Sequence, residues 1–91
     1  MKQAFKAADL AELLDQGNVL PSDFGALCDV SRATVWNWTQ GKGVSRFVVA
    51  RANKVFAALV AALKSGKLPI NERLTADQRR AFLTEIVGQD A

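Results

Sequence analysis

The stretch from Ser22 to Gly43, SDFGALCDVSRATVWNWTQGKG, leaves this chain little freedom in how it can fold. Pro21 pre-sets the backbone for a helix start, and Ser22 or Asp23 can accept the amide hydrogens that a first turn leaves free. After a short helix reaching Cys28, Asp29-Val30-Ser31 breaks the helical pattern. Ser31 is a good N-cap for a second helix, whose first residue, Arg32, begins the run RATVWNWTQ. Gly41 ends that helix, and Lys42-Gly43 continues as a loop. Two short helices separated by so tight a turn need a common core beneath them, and the rest of the chain is expected to supply it.

Helical geometry, at about 100° per residue, divides the second helix, residues 31–40, into two unlike sides. Ser31, Thr34, Val35 and Trp38 share one, which faces the core because it carries a branched apolar residue and a Trp. Arg32, Ala33, Trp36, Asn37 and Gln40 share the other. A cation, two amides, a methyl and an indole make an odd surface for plain solvent and a sensible one for a groove. Trp36 itself is open to three readings: a contact to DNA or sugar, a contact to another subunit, or an incidental exposed ring.

The flanking segments read as three further helices. Gln3 to Gln16 forms the first, with Phe5, Leu10, Leu13 and Leu14 apolar and Gly17 as its stop. Val19-Leu20 is a short apolar connector. The fourth helix begins between Val44 and Phe47 and runs to Lys64, and Val48, Ala52, Val55, Phe56, Leu59, Val60 and Leu63 occupy an arc of about 140°. Ala50, Ala57, Ala58 and Ala61 cover most of its remaining surface, beside Arg51 and Lys54. So broad an apolar surface predicts a partner subunit. Pro69 breaks the pattern, and Thr75-Ala-Asp-Gln78 has the form of a capping box that opens a fifth helix. Phe82, Leu83 and Ile86 line that helix and Gly88 stops it. The chain is therefore expected to be all-α, one five-helix domain over residues 1–91, with 65–91 a C-terminal helical extension used in dimerisation.

Charge is unevenly distributed. Residues 30–71 hold Arg32, Lys42, Arg46, Arg51, Lys54, Lys64 and Lys67 and no acid, a balance of +7. The segments before and after carry −3 and −1. A basic block centred on the second short helix has the footprint of a phosphate-binding face. With 49% hydrophobic and 23% charged residues the chain is too apolar for a disordered one. It has no His, which excludes His-based catalysis, and its single Cys, Cys28, excludes an internal disulfide and fits a reducing cytosol. The opening MKQAFKAADLAELLDQ has acids where a signal peptide needs an apolar core, so a cytoplasmic protein with no membrane contact is expected. Asp9, Glu12 and Asp15 read as a solvated helix face, and no set of residues calls for a metal, a cofactor or an enzymatic role.

The residues from Phe24 to Arg46 resemble the helix-turn-helix of the Cro/lambda-repressor-like family of phage and bacterial DNA-binding regulators. The likeness rests on Phe24, Gly25, the turn, Val30-Ser31-Arg32, Thr34-Val35, Trp38 and Gly41-Lys42. Two positions depart from the family pattern: Asp29 stands where Gly is favoured, and Thr39 stands where an acid is frequent. The resemblance implies a lambda-repressor-like fold and a sequence-specific regulator of transcription, a repressor of Cro type, that binds a double-stranded DNA operator as a homodimer. Base contacts are expected from Arg32, Ala33, Trp36, Asn37 and Gln40: Arg32 toward guanine, Asn37 and Gln40 toward adenine, Ala33 on a thymine methyl. Phosphate contacts are expected from Ser22, Ser31, Lys42, Ser45, Arg46 and Arg51. A dimer interface is expected at Leu59, Val60, Leu63, Phe82, Leu83 and Ile86. The alternative is a protein-interaction module, an antitoxin or anti-repressor whose fourth and fifth helices capture a regulatory protein partner.

Overall fold

A computed structural model of the chain describes residues 2–89, without the side chain of Gln89. Met1, Asp90 and Ala91, the ends of the expected domain, lie outside the described residues. The all-α expectation holds. The helices are α1 (Ala7–Gln16), α2 (Pro21–Cys28), α3 (Arg32–Thr39), α4 (Val49–Lys64) and α5 (Ala76–Gln89), with no strand among the described residues.

Local chemistry accounts for the central pair. Pro21 is the first residue of α2, where its missing N–H costs nothing. The side chain of Asp23, rather than that of Ser22, takes up the backbone at this start: its Oδ2 accepts from Leu20 N at 3.0 Å. Asp29 closes α2 in the left-handed region at φ 60°, a conformation Asp tolerates better than most residues. Ser31 Oγ then accepts Thr34 N at 3.2 Å and caps α3. A Cβ on Gly25 would lie 2.7 Å from Val30 O and 3.3 Å from Ser31 C and O, so the turn folds back onto α2 through a gap that a side chain would fill.

The core runs under this pair. Val35 and Trp38 from α3 meet Phe24 of α2, whose ring stands edge-on to the Trp38 indole at 6.3 Å. Leu10, Leu13 and Leu14 of α1 and Ala52, Val55, Ala58, Leu59 and Ala62 of α4 complete it with the C-terminal residues Leu68, Ile70, Leu83, Ile86 and Val87. Ala58, placed on the outer surface by the sequence reading, is buried: its small side chain lies within the packed interior of α4.

Three boundaries differ from expectation, each for a physical reason. Helix α1 starts at Ala7 rather than Gln3, because Lys2 O and Ala4 N are bonded to Asn53 of α4 and hold the chain before it away from the helix. Helix α4 starts at Val49, because Ser45 O accepts both Val48 N and Val49 N at 2.9 Å and turns the chain first. Gly88 does not stop α5; it lies within the helix, which continues to Gln89. The capping box at the start of α5 is formed, with Thr75 N bonding Gln78 Oε1 at 2.9 Å and Gln78 N bonding Thr75 Oγ1 at 3.2 Å.

The largest correction concerns residues 65–91. The described part is no extension: α5 packs against α2 and α4 within the one core. The loop before it is pinned to the α1–α2 turn by Ile70 N to Gly17 O and Asn18 Nδ2 to Ile70 O, both 3.0 Å. Arg79 is 8% exposed and donates to Asp23 Oδ2 from Nη2 at 2.9 Å and from Nε at 3.2 Å, and also to Asn18 O. This buried pair clamps α5 onto the start of α2, and no buried side-chain polar atom among the described residues lacks a partner. Much of the apolar surface of α4 is thus covered by its own chain.

Candidate nucleic-acid interface

The starts of α2 and α3 flank a surface depression of about 450 Å³ lined by Leu20, Pro21, Ser22, Arg32, Ala33, Trp36 and Asn37. A second depression, of about 210 Å³, is lined by Thr34, Asn37, Trp38, Lys42, Gly43, Ser45 and Val48. Asn37 lines both. No carboxylate lines either. Four of the five expected base-contacting residues and three of the six expected phosphate-contacting residues therefore line these two depressions.

The side chains on this face are available. Arg32, Ala33, Trp36 and Gln40 are exposed and Asn37 is half-buried. Trp36 keeps 55% of its surface in solvent, while Trp38, two residues on, keeps 3%. Gln40 lies outside both depressions and donates to Thr39 Oγ1 at 3.3 Å. Arg46 lies over the Phe47 ring, 4.9 Å from its centroid, on the loop that joins α3 to α4. That loop leaves α3 through Gly41, whose φ of 94° suits glycine, and through Lys42 N bonded to Asn37 O at 3.1 Å. Asp23, the acid nearest the face in α2, is neutralised by Arg79 beneath it and does not oppose the basic charge.

Several expected site residues take other positions. Arg51 Nε donates to Leu27 O at 2.9 Å, which draws the guanidinium to the C-terminal end of α2, away from the end that carries Ser22. There it satisfies a helix-terminal carbonyl. Ser31 is exposed but its Oγ serves as the α3 cap and lies 2.9 Å from Thr34 Oγ1. Among the expected dimer residues, Leu59 and Leu83 are wholly buried and Ile86 is 6% exposed, because α5 folds back on the core. Their side chains are interior. Val60, Leu63 and Phe82 are half-buried and remain at the surface.

The sequence reading overlooked Leu20, which is 51% exposed and forms a wall of the larger depression, and Phe47, which is 84% exposed. An apolar residue just before Pro21 reads as a buried connector, and only the exposed side of α3 next to it shows otherwise. Cys28 is buried, and desolvation pushes its thiol from the ordinary 9.0 up to about 12 against the opposing charge of Arg51. It is a packing residue, not a nucleophile. Among the described residues no group of three or more acids and thiols comes together to hold a metal, and no helix is long and apolar enough to cross a membrane. None of the family models, curated proteins or solved structures compared with the chain matches it.

Proposed function

We propose that the chain is a sequence-specific double-stranded DNA-binding regulator of transcription, of the Cro/lambda-repressor type, with α3 as the helix that enters the major groove. One observation carries this reading. Ser22, Arg32, Ala33, Trp36 and Asn37 converge on one concave, acid-free face, with Lys42 and Ser45 on the adjoining depression. A major groove offers acceptors, donors and thymine methyls, and this face offers a guanidinium, an amide and apolar carbons in matching variety. In this reading Arg32, at the first turn of α3, pairs with the O6 and N7 of guanine, Asn37 pairs with adenine, and Ala33 and Trp36 meet a thymine methyl or a deoxyribose. Ser22, Lys42, Ser45 and Arg46 grip the phosphates on either side.

One copy measures 32 Å in its longest dimension. Each copy carries one α3, and half-sites in this mode of binding lie about 34 Å apart, so an operator with inverted half-sites calls for two copies. Of the residues expected at that pairing, Val60, Leu63 and Phe82 are half-buried and remain at the surface.

The test is selection of bound sequences from random duplex DNA, followed by titration of the recovered duplex at several salt concentrations. The expected outcome is an inverted repeat whose binding weakens steeply with salt, by roughly 0.9 log units of affinity per log unit of salt for each phosphate neutralised. Binding to a single co-purifying protein, with no affinity for any duplex, would sink the proposal in favour of a protein-interaction module.

A further inference from the structure

The loop from Gly41 to Val48 carries Lys42, Ser45 and Arg46, yet little of its own backbone holds it in place. It is bonded to α3 at its start, where Gly41 N meets Trp38 O and Lys42 N meets Asn37 O, and it turns on Ser45 at its end. Between these lie Gly43, with open space around it, and Val44. Val44 N donates to the side-chain Oε1 of Gln3 at 3.0 Å, across 41 residues of sequence.

Gln3 is itself fixed from both sides. Asn53 of α4 accepts Ala4 N on Oδ1 and donates from Nδ2 to Lys2 O, each at 2.8 Å, so one side-chain amide brackets the backbone of Gln3. The far end of Gln3 is held too: its Nε2 donates to Phe5 O at 2.8 Å. Phe5 is buried and stacks on Phe56 with ring centroids 4.8 Å apart. The arrangement runs from the core through Phe5 and Asn53 to Gln3, and from Gln3 to the middle of the loop.

We propose that residues Lys2–Phe5 form a strap that positions the loop 41–48 for phosphate contact, with Gln3 as the positioning residue and Asn53 as its clamp. Lys2, adjacent in sequence to Gln3, is exposed. The role in binding rests on the DNA-binding reading above; the positioning of the loop does not.

The experiment uses the full chain and three variants. Gln3→Met keeps the length of the side chain and removes both of its hydrogen bonds. Gln3→Glu keeps the acceptor for Val44. Asn53→Ala releases the bracket. Amide hydrogen exchange of Val44 in the free protein should be about tenfold or more faster in Gln3→Met and Asn53→Ala, and restored towards wild type in Gln3→Glu. A mixed-sequence 20-base-pair duplex then serves as the binding probe. In Gln3→Met the slope of log affinity against log salt should fall by about one to two units, while base preference in a selection stays as in wild type. Unchanged Val44 exchange in Gln3→Met overturns the strap outright. Faster exchange with an unchanged salt slope overturns its role in phosphate contact. Wild-type protein that binds no duplex removes the interface reading, and with it the strap's role in binding, while the Val44 result still decides whether the strap orders the loop.

Discussion

Helix α3 and its C-cap Gln40 leave Arg32, Ala33, Trp36 and Gln40 in solvent, whereas the segment from Ser65 to Gly88 draws Leu68, Ile70, Arg79, Leu83, Ile86 and Val87 into the interior. The contrast is sharpest between two arginines. Arg32 stands exposed beside an apolar depression, and Arg79 lies buried against Asp23 and the Asn18 carbonyl. Both regions contact α2, one at its outer side and one beneath its start. The difference is a division of labour: the C-terminal segment holds α2 from below, which frees the outer side of α2 and α3 from any part in stability. Groups that would be costly in a core can then be displayed there.

Breaking the lower contact should produce the largest effect. Asp23→Ala leaves Arg79 buried without its carboxylate and should lower the unfolding free energy by about 3–5 kcal/mol. Urea denaturation followed by circular dichroism checks this, and a loss below about 1 kcal/mol would mean that α5 does not brace α2. On the display side, Arg32→Ala should leave the urea midpoint nearly unchanged. It should relax discrimination at one base position by about 1–3 kcal/mol. If affinity falls equally on all sequences, Arg32 belongs with the phosphate contacts.

Cys28 tests the interior from another direction. Because its thiol is raised from 9.0 to about 12, the folded chain keeps a proton that the unfolded chain releases. Its contribution is therefore complete below pH 9 and is lost as pH rises towards 12, with a slope of at most about 1.4 kcal/mol per pH unit. Urea midpoints at pH 8, 9 and 10 should fall more steeply for wild type than for Cys28→Ala; parallel curves would refute the burial of that thiol. The smallest effect is expected at Trp36. Trp36→Ala should change stability by no more than about 0.5 kcal/mol, as is usual at exposed positions. The same change at Trp38 removes a buried aromatic packed on Phe24 and should cost about 3–5 kcal/mol. Similar losses at the two positions would erase the distinction between the display side and the core.

The same division separates what could be read in the sequence from what could not. The α2–α3 unit was legible because its signals are local: Pro21 at a helix start, Asp29 able to turn left-handed, Ser31 as a cap, and a Trp at core spacing from Val35. The outward side of α3, with Arg32, Ala33, Trp36 and Asn37, followed from helical periodicity, whereas Leu20 beside it did not. The C-terminal segment was read correctly as helical and apolar, and incorrectly as an extension. Its partners are too far away in sequence: Arg79 meets Asp23 across 56 residues and Asn18 across 61. Nothing in the charge pattern marks Arg79 out from Arg80, its exposed neighbour. The strap was missed for the same reason, since the helical pattern in residues 3–6 gives no sign that Asn53 competes for that backbone or that Val44 N bonds the Gln3 side chain.

Gly25 fixes one further consequence. The atoms that a Cβ there would strike are all backbone, Val30 O at 2.7 Å and Ser31 C and O at 3.3 Å, so no rotamer change could make room. Any side chain must splay α2 from α3 and shift Arg32, Ala33, Trp36 and Asn37 together against Leu20, Pro21 and Ser22. The lettering on that face can therefore be rewritten one residue at a time, by exchanging Arg32, Ala33, Trp36 or Asn37, while the mount stays still. Position 25 permits no such editing: a single added methyl would shift the frame in which all the letters are read.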